Sequence, residues 1–138
     1  MITCLVARTN QLLEQYKKAL EEKGIEVYRI KRSEAEDRNK TGLRITTMHR
    51  VKGLEFDHII LAGLNDGVVP IKRKNMLSAD PLIQKEHEQI ERSLLYVSTT
   101  RARQRVLITC SGPPSGFIRK MKENKKNGPH KEKNDRNR

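Results

Sequence analysis

Tryptophan is absent from the 138 residues, and two phenylalanines and three tyrosines are all the aromatics the chain has. Binding by base stacking needs several exposed rings, so a stacking platform would have to come mostly from elsewhere. Cysteine is equally sparse. Cys4 and Cys110 each lie inside an apolar, β-prone run, where a free thiol behaves as a small buried hydrophobe, and no disulfide framework is expected. His49, His58, His87 and His130 have no Cys or His neighbours at metal-ligand spacing, which argues against structural zinc and leaves no metal ligand to name. No apolar run approaches the roughly 20 residues of a membrane span, and no secretory leader opens the chain. A cytoplasmic protein with no membrane partner is expected. No Gly-Lys dipeptide occurs, so the phosphate-cradling Gly-x-x-x-x-Gly-Lys-Ser/Thr loop is missing, and no acidic strand end stands out as a Mg2+ holder.

Acidic residues are the scarcer charge. Lys and Arg number 29 against 17 Asp and Glu, a net charge of +12, which points to a polyanionic partner or at least to non-specific attraction for nucleic acid. Half of that excess sits in residues 119–138. This stretch reads as a basic tail, disordered from Asn124 onward because it has nothing apolar to bury. Residues 1–118 are long enough for one domain with a real core.

The domain reads as alternating strands and helices. Met1 to Ala7 is a β-prone run; Thr9-Asn10 then offers a helix cap, and Leu12, Leu13, Tyr16, Ala19 and Leu20 keep the 3.6-residue period up to Gly24. Ile25 to Ile30 reads as the next strand, and the charged segment 31–42 as a surface connection. Asp80-Pro81 is a helix start, with Ile83, His87, Ile90, Leu94 and Val97 predicted to share a stripe and Tyr96 to serve in the core. Arg105 to Thr109 is a further strand, and Gly116 to about Glu123 a short helix.

Between two apolar runs, Leu43 to Thr47 and His58 to Ala62, lies the polar block His49 to Glu55. The runs read as neighbouring buried strands of a parallel sheet, and such sheets bind ligands at their strand ends. A His, an Arg, a Lys, a Gly and a carboxylate within seven residues are more chemistry than a crossover needs.

Thr47-Met-His-Arg-Val-Lys-Gly-Leu-Glu-Phe-Asp57 resembles motif V of the UvrD/Rep/PcrA-like superfamily 1 DNA helicases. Glu91-Arg-Ser-Leu-Leu-Tyr-Val-Ser-Thr-Thr-Arg-Ala102 is similar to their motif VI, and Cys4-Leu-Val-Ala-Arg-Thr-Asn10 to motif IV, in the family's order. The resemblance implies the second RecA-like domain of such a helicase: an α/β, three-layer sandwich of the P-loop-NTPase type, with a mainly parallel sheet but no P-loop of its own. Where relatives carry a large subdomain between motifs IV and V, only residues 31–42 stand, either as a minimal insertion or because the subdomain has been removed.

By the same resemblance, Arg101 is an arginine finger on the γ-phosphate of ATP, Arg8 a second phosphate contact, and Glu55 a ribose ligand, with Gly53 letting the backbone approach. These residues are expected to converge on one edge of the sheet. Ala7 replaces the aromatic that relatives use against adenine. Thr47, His49 and Lys52 are expected to hold phosphates of single-stranded DNA, and Arg50 to add a contact or face water. Leu54 and Phe56 read as core. Glu91, Arg92 and Arg103 are expected to support Arg101. Read from composition alone, Arg8, Arg101 and Glu55 are solvated side chains.

The implied partners are the N-terminal RecA-like domain, which would hold Mg2+ and most of the ATP, and single-stranded DNA, travelled 3′ to 5′. Hydrolysis by this chain alone is not expected. Two other readings stay open: the helicase part of a helicase-nuclease, and a non-enzymatic nucleic-acid-binding module derived from a helicase half.

Overall fold

The structure, a computed structural model, describes residues 2–30, 42–72 and 78–126. Five parallel strands form one sheet in the order β2-β3-β1-β4-β5: β1 (Thr3–Ala7), β2 (Val27–Arg29), β3 (Leu43–Thr47), β4 (Phe56–Leu61) and β5 (Ala102–Ile108). Three helices complete the described fold: α1 (Asn10–Glu22), α2 (Pro81–Thr100) and α3 (Gly116–Lys126).

Strand alternation sorts the core into two layers. On one face Leu5, Ala7, Ile45 and Ala62 meet Leu13 of α1, with Leu12, Tyr16 and Leu20 packed beside it. On the other, Cys4, Val6, Phe56, Ile59 and Leu61 meet Leu95 of α2 and Phe117 and Ile118 of α3. This is the expected three-layer α/β sandwich, and β1, paired on both sides, is buried from Cys4 to Ala7. Phe56 is fully buried, and Leu54 packs partly buried against it, as their apolar character required. Phe56→Ala would cost about 3–5 kcal/mol.

The helix starts follow the sequence. Thr9 Oγ1 accepts from the Leu12 backbone N–H at 3.2 Å, and an Asp80 carboxylate oxygen from that of Leu82 at 2.8 Å. Gly63, just after β4, has φ +70°, and a Cβ there would collide with the Tyr16 hydroxyl oxygen. Only glycine lets the chain leave the sheet under α1.

Several expectations are corrected. The predicted α2 stripe is only partly covered: Ile83 and Ile90 are exposed and His87, Leu94 and Val97 half-buried, while the buried side of the helix carries Glu91, Leu95 and Ser98. Periodicity weighs apolar area and is blind to the single ion pair that Glu91 makes with the sheet. Tyr96 is accordingly 69 % exposed instead of in the core. Cys110 is exposed because it lies beyond the end of β5, whereas Cys4 is buried in β1 as expected. Helix α3 continues through Lys126, so residues 119–126 are helical, not tail; the apolar anchors Phe117 and Ile118 hold its first turn. The connection 31–41 and residues 127–138 lie outside the described residues.

Candidate functional site

The polar block after β3 leaves the sheet through two tight turns. Arg50 and Val51 N–H groups both bond the Thr47 carbonyl at 3.1 Å, and Leu54 N–H bonds that of Val51 at 3.0 Å. Gly53 occupies the third position of this second turn with φ +84°, a conformation that admits glycine with little penalty. No atom lies within 4 Å of where its Cβ would be, so the turn faces open space. Val51 and Met48, both buried, pin the loop to the core, leaving His49, Arg50, Lys52 and Glu55 exposed.

In a parallel sheet, residues following strands and residues preceding strands lie at opposite edges. Arg8 and Thr47 follow β1 and β3; Glu55 and Arg101 immediately precede β4 and β5. The expected convergence of Arg8, Glu55 and Arg101 on one edge is therefore corrected: Glu55 and Arg101 share an edge, and Arg8 occupies the other. Phe56 N–H bonds the Arg101 carbonyl at 2.9 Å, which brings the backbones of the first pair together.

At the Arg8 edge the guanidinium is 5 % exposed and grips Glu91 as a two-armed fork, Nε donating to Oε2 at 2.9 Å and Nη2 to Oε1. Glu91 also accepts the Ile71 backbone N–H at 3.1 Å. Burial pushes the Glu91 carboxyl up, but the Arg8 and Ile71 hydrogen bonds and the charges of Arg8 and His87 outweigh it, and the net position is below the ordinary carboxylate value. The remaining Arg8 arm, Nη1, lies 3.3 Å from His49 Nε2. Thr47, the last residue of β3, is buried. The loop and α2 enclose a groove of about 510 Å3 lined by His49 and Lys52 on one side and by Glu86, Ile90, Ser93 and Val97 on the other. Arg50 is exposed but does not line it.

At the other edge Arg101 caps the C-terminus of α2. The three hydroxyls before it, Ser98, Thr99 and Thr100, are turned back onto the helix carbonyls of Leu94, Tyr96 and Val97 at 2.7–2.8 Å. Among the described residues Arg101 reaches only the Thr100 oxygen, at 3.5 Å, and its Nε is buried with no hydrogen-bond acceptor. A permanently charged donor left without an acceptor is costly unless a ligand oxygen completes it. Beside it, Arg103 donates to Glu55 at 3.2 Å in a pair that is half open to solvent on both sides. Such a pair contributes little and exchanges readily for a ligand.

The supporting roles expected around Arg101 fall elsewhere. Glu91 serves Arg8, Arg103 serves Glu55, and Arg92 pairs with Glu88 at 3.0 Å while lying 5.0 Å over the Phe117 ring. Sequence reading missed the bond between Arg8 and His49, because their neighbourhood follows from the β1–β3 pairing and not from spacing along the chain.

A parallel α/β sheet without a P-loop, with an unsatisfied arginine at one edge and a groove between loop and helix at the other, fits the class of RecA-like domains. Comparison with known proteins makes the class specific. The family model of the UvrD-like helicase C-terminal domain matches residues 14–112, and the chain belongs to that family. Among relatives, the ATP-dependent DNA helicase PcrA of Bacillus subtilis is 33 % identical over 84 residues, which are 61 % of this chain and 10 % of that protein. The ATP-dependent DNA helicase UvrD2 of Mycobacterium tuberculosis is 44 % identical over 62 residues, 45 % of this chain and 8 % of the relative. The chain thus spans about a tenth of the length of the curated relatives it matches. The solved C-terminal domain of a possible DNA helicase from Lactobacillus plantarum WCFS1 superposes with a TM-score of 0.60 at 25 % identity, covering 84 % of this chain and 60 % of that one. Among the described residues no helix is long and apolar enough to cross a membrane.

Proposed function

We propose that this domain is the C-terminal motor half of an ATP-dependent DNA helicase: it completes an ATP site whose phosphate cradle and Mg2+ ligands belong to an N-terminal RecA-like domain, and it holds single-stranded DNA through its loop after β3. The observation that carries the first part is the unsatisfied Arg101 donor. A γ-phosphate oxygen supplies the acceptor this guanidinium lacks. A guanidinium meeting phosphate as a rigid fork stabilises the charge that builds on the transferring group. Glu55, held only by the half-exposed Arg103, is free to accept a ribose hydroxyl. Bound ATP supplies the phosphoryl group whose transfer to water drives the cycle.

In this reading Arg8 is no γ-phosphate sensor. Its charge is committed to Glu91, and the contact it makes toward a ligand runs through His49. His49 and Lys52, exposed in the groove beside α2, offer donors to DNA backbone phosphates without reading sequence. Thr47 is buried and Arg50 lies outside the groove; neither is assigned a main role. Arg101, the C-cap of α2, follows Glu91 by ten positions, about 15 Å of helix axis, so one rigid element joins the DNA-side network to the nucleotide-side arginine.

The test is Arg101→Ala in the protein that carries both motor halves. Single-stranded-DNA-stimulated ATP turnover should fall about 10³-fold or more while nucleotide binding persists. Unchanged turnover removes the finger assignment.

A further inference from the structure

A ring nitrogen that receives a hydrogen bond from arginine has no choice of role. Guanidinium N–H groups donate and never accept, so where Arg8 Nη1 bonds His49 Nε2 at 3.3 Å, Nε2 must be the unprotonated nitrogen. The proton of the neutral imidazole is then confined to Nδ1. Arg8 is oriented by Glu91, which holds two of its other donors, is 2 % exposed and is anchored in turn by the Ile71 N–H. His87, one turn before Glu91 on the same helix, bonds the Ile71 carbonyl at 2.9 Å and fixes the strand of loop from which that N–H comes. Three separate pieces of chain, the end of β1, the loop before residue 73 and the middle of α2, thus converge behind one exposed imidazole.

We propose that Arg8 and Glu91 are positioning residues for His49: they hold its ring as the neutral Nδ1–H tautomer, so that Nδ1–H is the one donor it presents to an anionic ligand oxygen, of the class found on a nucleic-acid backbone. Neither Arg8 nor Glu91 touches that ligand. The device is the familiar one in which a second group decides which imidazole nitrogen carries the proton, here with an arginine in place of the usual carboxylate or carbonyl, so that the partnered nitrogen is the bare one and the free nitrogen carries the proton. The DNA contact rests on the function proposed above; the tautomer does not.

Arg8→Lys separates the role from the fold, because lysine keeps the buried charge opposite Glu91 but is a point donor without the rigid second arm. Long-range 1H–15N spectra of the 15N-labelled chain at pH 8, with His49 assigned from its loss in His49→Gln, should show Nδ1–H in the parent and a shift towards the Nε2–H form in Arg8→Lys. If Arg8→Lys does not fold, Glu91→Gln, which loosens the fork while keeping one acceptor oxygen, should give the same shift in weaker form. A fluorescein-labelled oligothymidylate at low salt supplies the second readout. Arg8→Lys should weaken binding about three- to tenfold, the size of one hydrogen bond, and should add nothing further in a His49→Ala background. A parent His49 already in the Nε2–H form, or an Arg8→Lys loss that persists undiminished without His49, overturns the proposal. If the parent binds no oligonucleotide, the DNA-binding reading falls, and the tautomer spectrum alone decides the positioning role.

Discussion

Two arginines at opposite edges of one sheet meet opposite fates. Arg8 is buried with every arm engaged, by Glu91 and by His49; Arg101 has a buried donor without an acceptor and one marginal contact to its neighbouring threonine. The lesson is that burial of an arginine has two meanings. Where a carboxylate and a backbone amide close the network, the charge belongs to the architecture. Where the network is left open, a donor remains that the proposed nucleotide would satisfy.

That contrast can be broken most severely at Glu91. Glu91→Ala strands the Arg8 charge in the interior and should lower the unfolding free energy by about 3–5 kcal/mol, read from urea denaturation. A loss below about 1 kcal/mol would show that Arg8 is hydrated and that the two arginines are alike. The pH dependence sharpens the same point. Because the folded Glu91 carboxyl lies below its ordinary value of 4.5, its contribution is complete above that pH and is lost as the pH falls through the lower folded value. The thermal midpoint of the parent should therefore drop more steeply below pH 4.5 than that of Glu91→Gln. Equal slopes would deny the pair its strength. Gly53→Ala forces a side chain into φ +84° in open space and should cost about 1 kcal/mol, a local strain at the loop that divides the two edges. The smallest effect belongs to Arg101→Ala. Removing an unsatisfied donor should leave stability within about 0.5 kcal/mol, and a loss comparable to that of Glu91→Ala would mean that Arg101 is structural.

Much of the architecture was legible in the chain. The apolar runs at β1, β3 and β4, the Thr9 and Asp80 caps and the parallel sheet all followed from periodicity and turn chemistry, because those signals are local. The rotation of α2 was not legible. Ile83, Ile90 and Leu94 make a convincing buried stripe on area alone, and the competing demand came from Arg8, eighty-three positions from Glu91 in sequence. The site divided in the same way. Motif spacing picked out Gly53, Glu55, Arg101, His49 and Lys52, but not which of them share an edge; that depends on whether a residue enters or leaves its strand. The motif around Arg8 suggests phosphate, but only the pairing of β1 with β3 shows that it sits beside His49.

Strand β5 closes the described sheet with Val106 and Leu107 showing and no further strand alongside. Such a margin invites a copy of itself, and the side chains standing between this domain and fibrillar clumping are Arg103, Gln104 and Arg105, spaced along that border like fence posts. Anyone trimming the positive charge of this protein to ease its purification should start somewhere else.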